Sequence, residues 1–142
     1  MPFTNYTDIQ LLKRGNLSDG FQYAIPLYSG NKRLIMMIDT GAHLSHIGNI
    51  PLKGCSYHNT RQKVRVFGIA GDCMARKVLL DFYLSKPEDS NNESPFSLDF
   101  LVIAKKDSSY LNSENVDGLL GTNFLQFCDV NFLEGYIRVY HP

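Results

Sequence analysis

Leu34–Ile47 reads LIMMIDTGAHLSHI. Leu34, Ile35, Met36, Met37 and Ile38 run directly into Asp39, followed by Thr40, Gly41 and Ala42, and apolar residues resume at Leu44 and Ile47. Such a run suits a buried strand, although a short apolar run alone does not separate strand from helix. A carboxylate at the buried end of a strand is unusual, because Asp is rarely buried without a partner and desolvating its charge is costly. Gly41 permits a sharp turn that brings Asp39 to a surface. Thr40 places beside it a hydroxyl that can donate and accept. The local chemistry is one acid on a tight turn at the end of a rigid element. The same letters also spell an ordinary turn, and short motifs match by chance.

Working outward, Phe21, Tyr23, Ile25 and Leu27 alternate along one side of an expected strand. Pro26 argues that this strand is an edge or ends there. Ser29-Gly30-Asn31-Lys32 is a hairpin signal, so the acid sits at the far end of a β-hairpin. Residues 1–20 read as an N-terminal extension or arm, with an apolar patch at Ile9, Leu11 and Leu12 and a turn-rich stretch over 15–20. Residues 21–142 read as one domain.

After Ile47 the chain is irregular through Gly48, Pro51 and Gly54. Residues 61–84 then predict a long hairpin. Lys63, Arg65 and Phe67 alternate with Val64 and Val66, residues 68–72 turn, and Val78, Leu80, Phe82 and Leu84 return on one side. Two glycines at the tip give a permissive backbone of low local stability. Residues 85–95 form a polar loop, 96–104 a strand and 105–116 a polar connection. Leu119 and Leu120 predict a short buried strand ending at Gly121. Thr122 is the expected cap of a brief helix over 123–127. Residues 130–133 and 136–140 form a closing hairpin. The expectation is an all-β chain, a small closed β-barrel or a sandwich.

The 142 residues are near the size of one domain, and 44% are apolar, enough for a core. Fourteen basic and fourteen acidic residues balance to zero, which points to neither nucleic acid nor an anionic membrane as partner. No apolar run reaches membrane-spanning length. The start MPFTNYTDIQ lacks a basic and then an apolar segment, so no secretory signal is expected and the cytoplasm is the expected location. Cys55, Cys73 and Cys128 match neither a zinc spacing nor a disulfide framework and read as reduced, structural or incidental. Asn-x-Ser/Thr sites at Asn5, Asn16 and Asn92 carry no weight without a secretory signal. His43 and His46 are weak metal ligands beside Asp39, because no third ligand is near in sequence and His58 is separate; surface or interface roles compete with that reading. Ser45 lacks a His-Asp arrangement, and Asp117 and Asp129 suit turns or caps.

Three segments in order resemble retropepsin-like (retroviral-type) aspartic proteases. These are Ile38-Asp39-Thr40-Gly41-Ala42 after an apolar strand, the glycine-tipped hairpin around 67–73, and DGLLGTNFLQFCDVNFLEGYIRV with its Leu119-Leu120-Gly121. The longer segments 85–95 and 105–116 and the N-terminal extension depart from compact viral examples. The resemblance implies a barrel with a flap hairpin and one short C-terminal helix. It makes Asp39 the catalytic residue, supported by Thr40, Gly41, Ala42, Leu119, Leu120 and Gly121. Val66, Phe67, Gly68, Ile69, Ala70 and Gly71 become a flap over an extended peptide or protein substrate. Phe67 and Ile69 are subsite walls or ordinary hairpin packing. With one candidate acid per chain, the second comes from another copy, hence a homodimer, with no metal or organic cofactor. Two rivals are a catalytically silent module for peptide binding or dimerisation, and a monomer active only on concentration or partner binding.

Overall fold

A computed structural model describes residues 5–16, 20–68, 71–89, 94–107, 110–111 and 115–141. Among the described residues, eleven strands fall into two sheets. The smaller joins β1 (Tyr6–Gln10), β11 (Tyr136–Tyr140) and β10 (Cys128–Asn131) in that order. The larger has the order β2-β3-β4-β9-β5-β8-β7-β6. Its members are β2 (Leu12–Asn16), β3 (Gly20–Ser29), β4 (Lys32–Ile38), β5 (Ser45–Gly48), β6 (Ser56–Gly68), β7 (Gly71–Phe82), β8 (Phe96–Ile103) and β9 (Gly118–Leu120). The described residues also include the single-turn helices α1 (Asn49–Leu52) and α2 (Thr122–Leu125) and 3-10 turns at Pro87–Asp89 and Lys105–Asp107.

Alternation decides which side of each strand faces the core. Ile25, Leu27, Leu34, Met36, Ile47, Leu80, Phe82, Phe100 and Leu120 are all fully buried in one cluster, together with Ile137 and Val139 of the small sheet. The core therefore lies between the two sheets. Phe82 stacks on Phe96 with ring centroids 5.5 Å apart, and both contact the Phe124 ring. Pro26 lies beyond the β2–β3 ladder, which stops at Leu12 opposite Ala24, so β3 is one-sided there and the missing N–H costs no ladder bond.

Three sequence expectations are corrected. No closed barrel is found among the described residues: β2 and β6 are the two ends of the large sheet. An isolated bridge between Tyr28 and Tyr83, and the Ser29 hydroxyl donating to the Asp81 carbonyl at 2.6 Å, tie β3 to the end of β7 instead of a ladder. The hairpin expected over 61–84 begins earlier, because residues 56–60 already belong to β6. A bulge between Asn59 and Gln62, with Arg61 at φ 64°, takes up the turn chemistry there. Thr122 is not the cap of α2; Gly121 is, and Thr122 is the first helical residue. Residues 5–16, unplaced in the sequence, pair as β1 with β11 and as β2 with β3.

Candidate active site

Asp39 follows β4 directly. Its backbone N–H donates to the Leu120 carbonyl at 3.0 Å, which extends the parallel β4–β9 ladder by one bond. Its carboxylate Oδ1 accepts the Gly41 N–H at 2.9 Å, and its carbonyl accepts the Ala42 N–H at 3.3 Å. The turn thus closes on the acid itself. Asp39 is half-buried, Thr40 and Gly41 are exposed, and Ala42 is half-buried.

Beneath the turn lies the start of α2. The Ala42 carbonyl accepts the Thr122 N–H at 2.8 Å, and the His43 carbonyl accepts the Asn123 N–H at 3.1 Å. Gly121 is where these backbones meet: a Cβ there would stand 2.6 Å from the Ala42 oxygen. Leu119 and Leu120 are buried in β9 opposite Met37 and Ile38.

Sequence reasoning missed the polar knot that ties these segments. Ser45 is fully buried. Its hydroxyl donates to Asn123 Oδ1 at 2.8 Å and accepts the Gly121 N–H at 3.0 Å, while the Ser45 N–H also donates to Asn123 Oδ1. The Asn123 amide donates onward to the Asp99 carbonyl at 2.9 Å. The available signal was parity: Ser45 shares the inward side with Ile47, and a buried hydroxyl needs partners.

His46 lies on the opposite side of β5. Its Nδ1 is 3.1 Å from the Tyr110 hydroxyl. Burial pushes its pKa below the ordinary value, partly opposed by the charge of Asp39. His43 is exposed, and His58 stands apart, 3.7 Å from Asp81. Among the described residues no group of three or more His, Cys, Asp or Glu side chains is gathered to hold a metal. Asp117 is a bridge: its Oδ2 accepts the Ile35 N–H and its carbonyl accepts the Gly48 N–H, tying β4 to β5. Asp129 accepts the Tyr140 hydroxyl at 2.9 Å.

The β6–β7 hairpin pairs Val66 with Cys73, Phe67 with Asp72 and Gly68 with Gly71. Val66 is half-buried against the cluster of Ala75, Leu101 and Ile103. Ile69 and Ala70 lie outside the described residues, as does the Phe67 side chain. Beside Asp39, a cavity of ≈ 230 Å³ is lined by Gln22, Tyr23, Ile38, Thr40 and Phe132, none of them charged. Among the described residues no helix is long and apolar enough to cross a membrane.

An acid on a closed turn, at the end of a parallel strand pair and braced by a helix start, is set within an almost wholly β fold. That fold is retropepsin-like. A solved structure of a retropepsin-like aspartic protease from Rickettsia conorii superposes with a TM-score of 0.52 over 95% of this chain and 91% of that one, at 14% sequence identity. The sequence matches no protein-family model and no curated protein.

Proposed function

We propose that this chain is one half of an aspartic endopeptidase, a homodimer in which each copy contributes Asp39. The supporting observation is the Asp39 turn: a half-buried carboxylate held by the Gly41 N–H, at the end of a strand in a retropepsin-like fold. Two such carboxyls a water apart cannot both ionise easily, so they share a proton and titrate as a unit; aspartic proteases are the standard example. The ionised member takes a proton from the water as its oxygen attacks the scissile carbonyl carbon. The neutral member gives its proton to the carbonyl oxygen. Collapse of the resulting diol breaks the C–N bond, and the departing nitrogen takes a proton from the pair. Water and peptide become an acid and an amine.

A two-fold axis between the acids makes the interface isologous. Exposed Thr40 then faces its mate, where its hydroxyl clasps the two turns together. The uncharged cavity lined in part by Ile38 and Thr40, the two chain neighbours of Asp39, offers apolar surface close to the acid. The β6–β7 hairpin covers an extended peptide by strand addition. Asp39→Asn tests the reading. The variant should keep its fold and its dimer and lose pepstatin-sensitive peptide cleavage; unchanged cleavage rejects the assignment.

A further inference from the structure

The large sheet is apolar on both faces. Leu34, Met36, Ile47 and Leu120 point into the core, and the alternate residues Ile35, Met37, His46 and Leu119 point the other way. Asp39 follows Ile35 and Met37 by the same two-residue step, and its charge acts on His46. The acid and this outer face therefore share a side. Two apolar clusters cover the face. One gathers Ala24, Leu111, Val116 and Leu119; the other gathers Ala75, Leu101 and Ile103, with Val64 and Val66 of the hairpin packed on it. Among the described residues, Tyr110 is the one that packs against both. It comes from the long connection after β8. Its hydroxyl is held 3.1 Å from His46 Nδ1, with the two rings edge-on at 6.5 Å.

We infer that Tyr110 is a wall of the peptide groove and restricts the substrate side chain next to the scissile bond to small apolar ones. The inference rests on the protease reading. A peptide lying over Asp39 and beneath the β6–β7 hairpin crosses this face, and Tyr110 stands between the Asp39-bearing strands and the hairpin base. The half-buried ring occupies space that a large side chain would need. Its hydrogen bond to His46 opposes rotation away. The surrounding Met37, Leu119 and Leu101 are apolar and favour an apolar side chain over a charged one.

The test compares cleavage of a peptide set varied on either side of the scissile bond by wild type, Tyr110→Phe and Tyr110→Ala. At one position, wild type and Tyr110→Phe should favour alanine- or valine-sized side chains. Tyr110→Ala should move kcat/KM toward leucine and phenylalanine by on the order of tenfold or more, the scale that a few methylenes command in a pocket. An unchanged profile in folded Tyr110→Ala overturns the inference and leaves the protease reading standing. If Tyr110→Ala does not fold, Tyr110→Leu, which keeps apolar packing but lacks the ring's far edge, carries the same expectation. Failure of both to fold assigns Tyr110 to the core and also overturns it. A wild type that cleaves nothing removes both readings together.

Discussion

Ser45 shows how one small side chain fixes the geometry around the acid. Its hydroxyl serves Asn123 and Gly121 at once from a fully buried position. Ser45→Ala leaves the Gly121 N–H and part of Asn123 unsatisfied, and should cost about 1–3 kcal/mol of unfolding free energy in urea titration. A loss near zero would mean that water replaces the hydroxyl there. Cys128 makes a second residue-scale prediction. Burial, with the Asp129 charge adding to it, pushes its thiol up to about 12, so native protein at pH 8 should leave it unalkylated until denaturant is added. His46 makes a third. Its pKa is lower folded than unfolded, so the unfolded chain takes up the proton first as pH falls. The stability that His46 contributes is complete above its ordinary value of ~6.5 and is lost as pH drops through the folded value. Urea titrations at pH 7.5 and 5.5 should show wild type losing more stability than His46→Gln; equal losses would contradict the burial. At this scale the sequence made the Asp39 turn legible as a turn, because Asp-Thr-Gly carries its own backbone chemistry. Ser45 and Asn123 were not legible, since nothing in a polar letter announces a buried partner 78 residues away.

Among the described elements, β9 is the shortest strand and is paired on both sides. It lies parallel to β4 and antiparallel to β5, between the strand that leads into Asp39 and the strand that carries His46. Gly118 permits this: a Cβ there would meet the His46 carbonyl oxygen at 2.1 Å and the Met36 Cε at 2.5 Å. The backbone oxygen cannot swing aside as a side chain can. Gly118→Ala should therefore cost at least the 1–3 kcal/mol typical of overpacking, and hydrogen exchange should rise first at the amides joining β5 and β9. A neutral substitution would show that the strands separate freely. The strands themselves were readable because period-two alternation in 21–28 and 74–84, and the apolar run Phe100-Leu101-Val102-Ile103, are local signals. Their neighbours were not. The β4-β9-β5 order joins residues far apart in sequence, and the open large sheet with its Tyr28–Tyr83 bridge reflects packing that no single segment encodes. The N-terminal strand illustrates the same point: β1 is recognisable as part of the small sheet only once β11 lies beside it, with Arg138 bonded to both Asp8 carboxylate oxygens and stacked 4.0 Å over the Tyr6 ring.

For the whole molecule, the account turns on arithmetic. One chain supplies one acid of the required kind, and the proposed chemistry needs two. Activity should therefore belong to an assembly, and specific activity should fall on dilution together with the dimer fraction seen by sedimentation. The most direct measurement mixes subunits. Wild-type chain refolded with increasing Asp39→Asn chain forms mixed pairs that hold one carboxyl and one amide. The account predicts that activity per wild-type chain falls as the mixed pairs accumulate, toward zero at large excess. Activity per wild-type chain that stays constant through the series, in samples shown to exchange subunits, would contradict it.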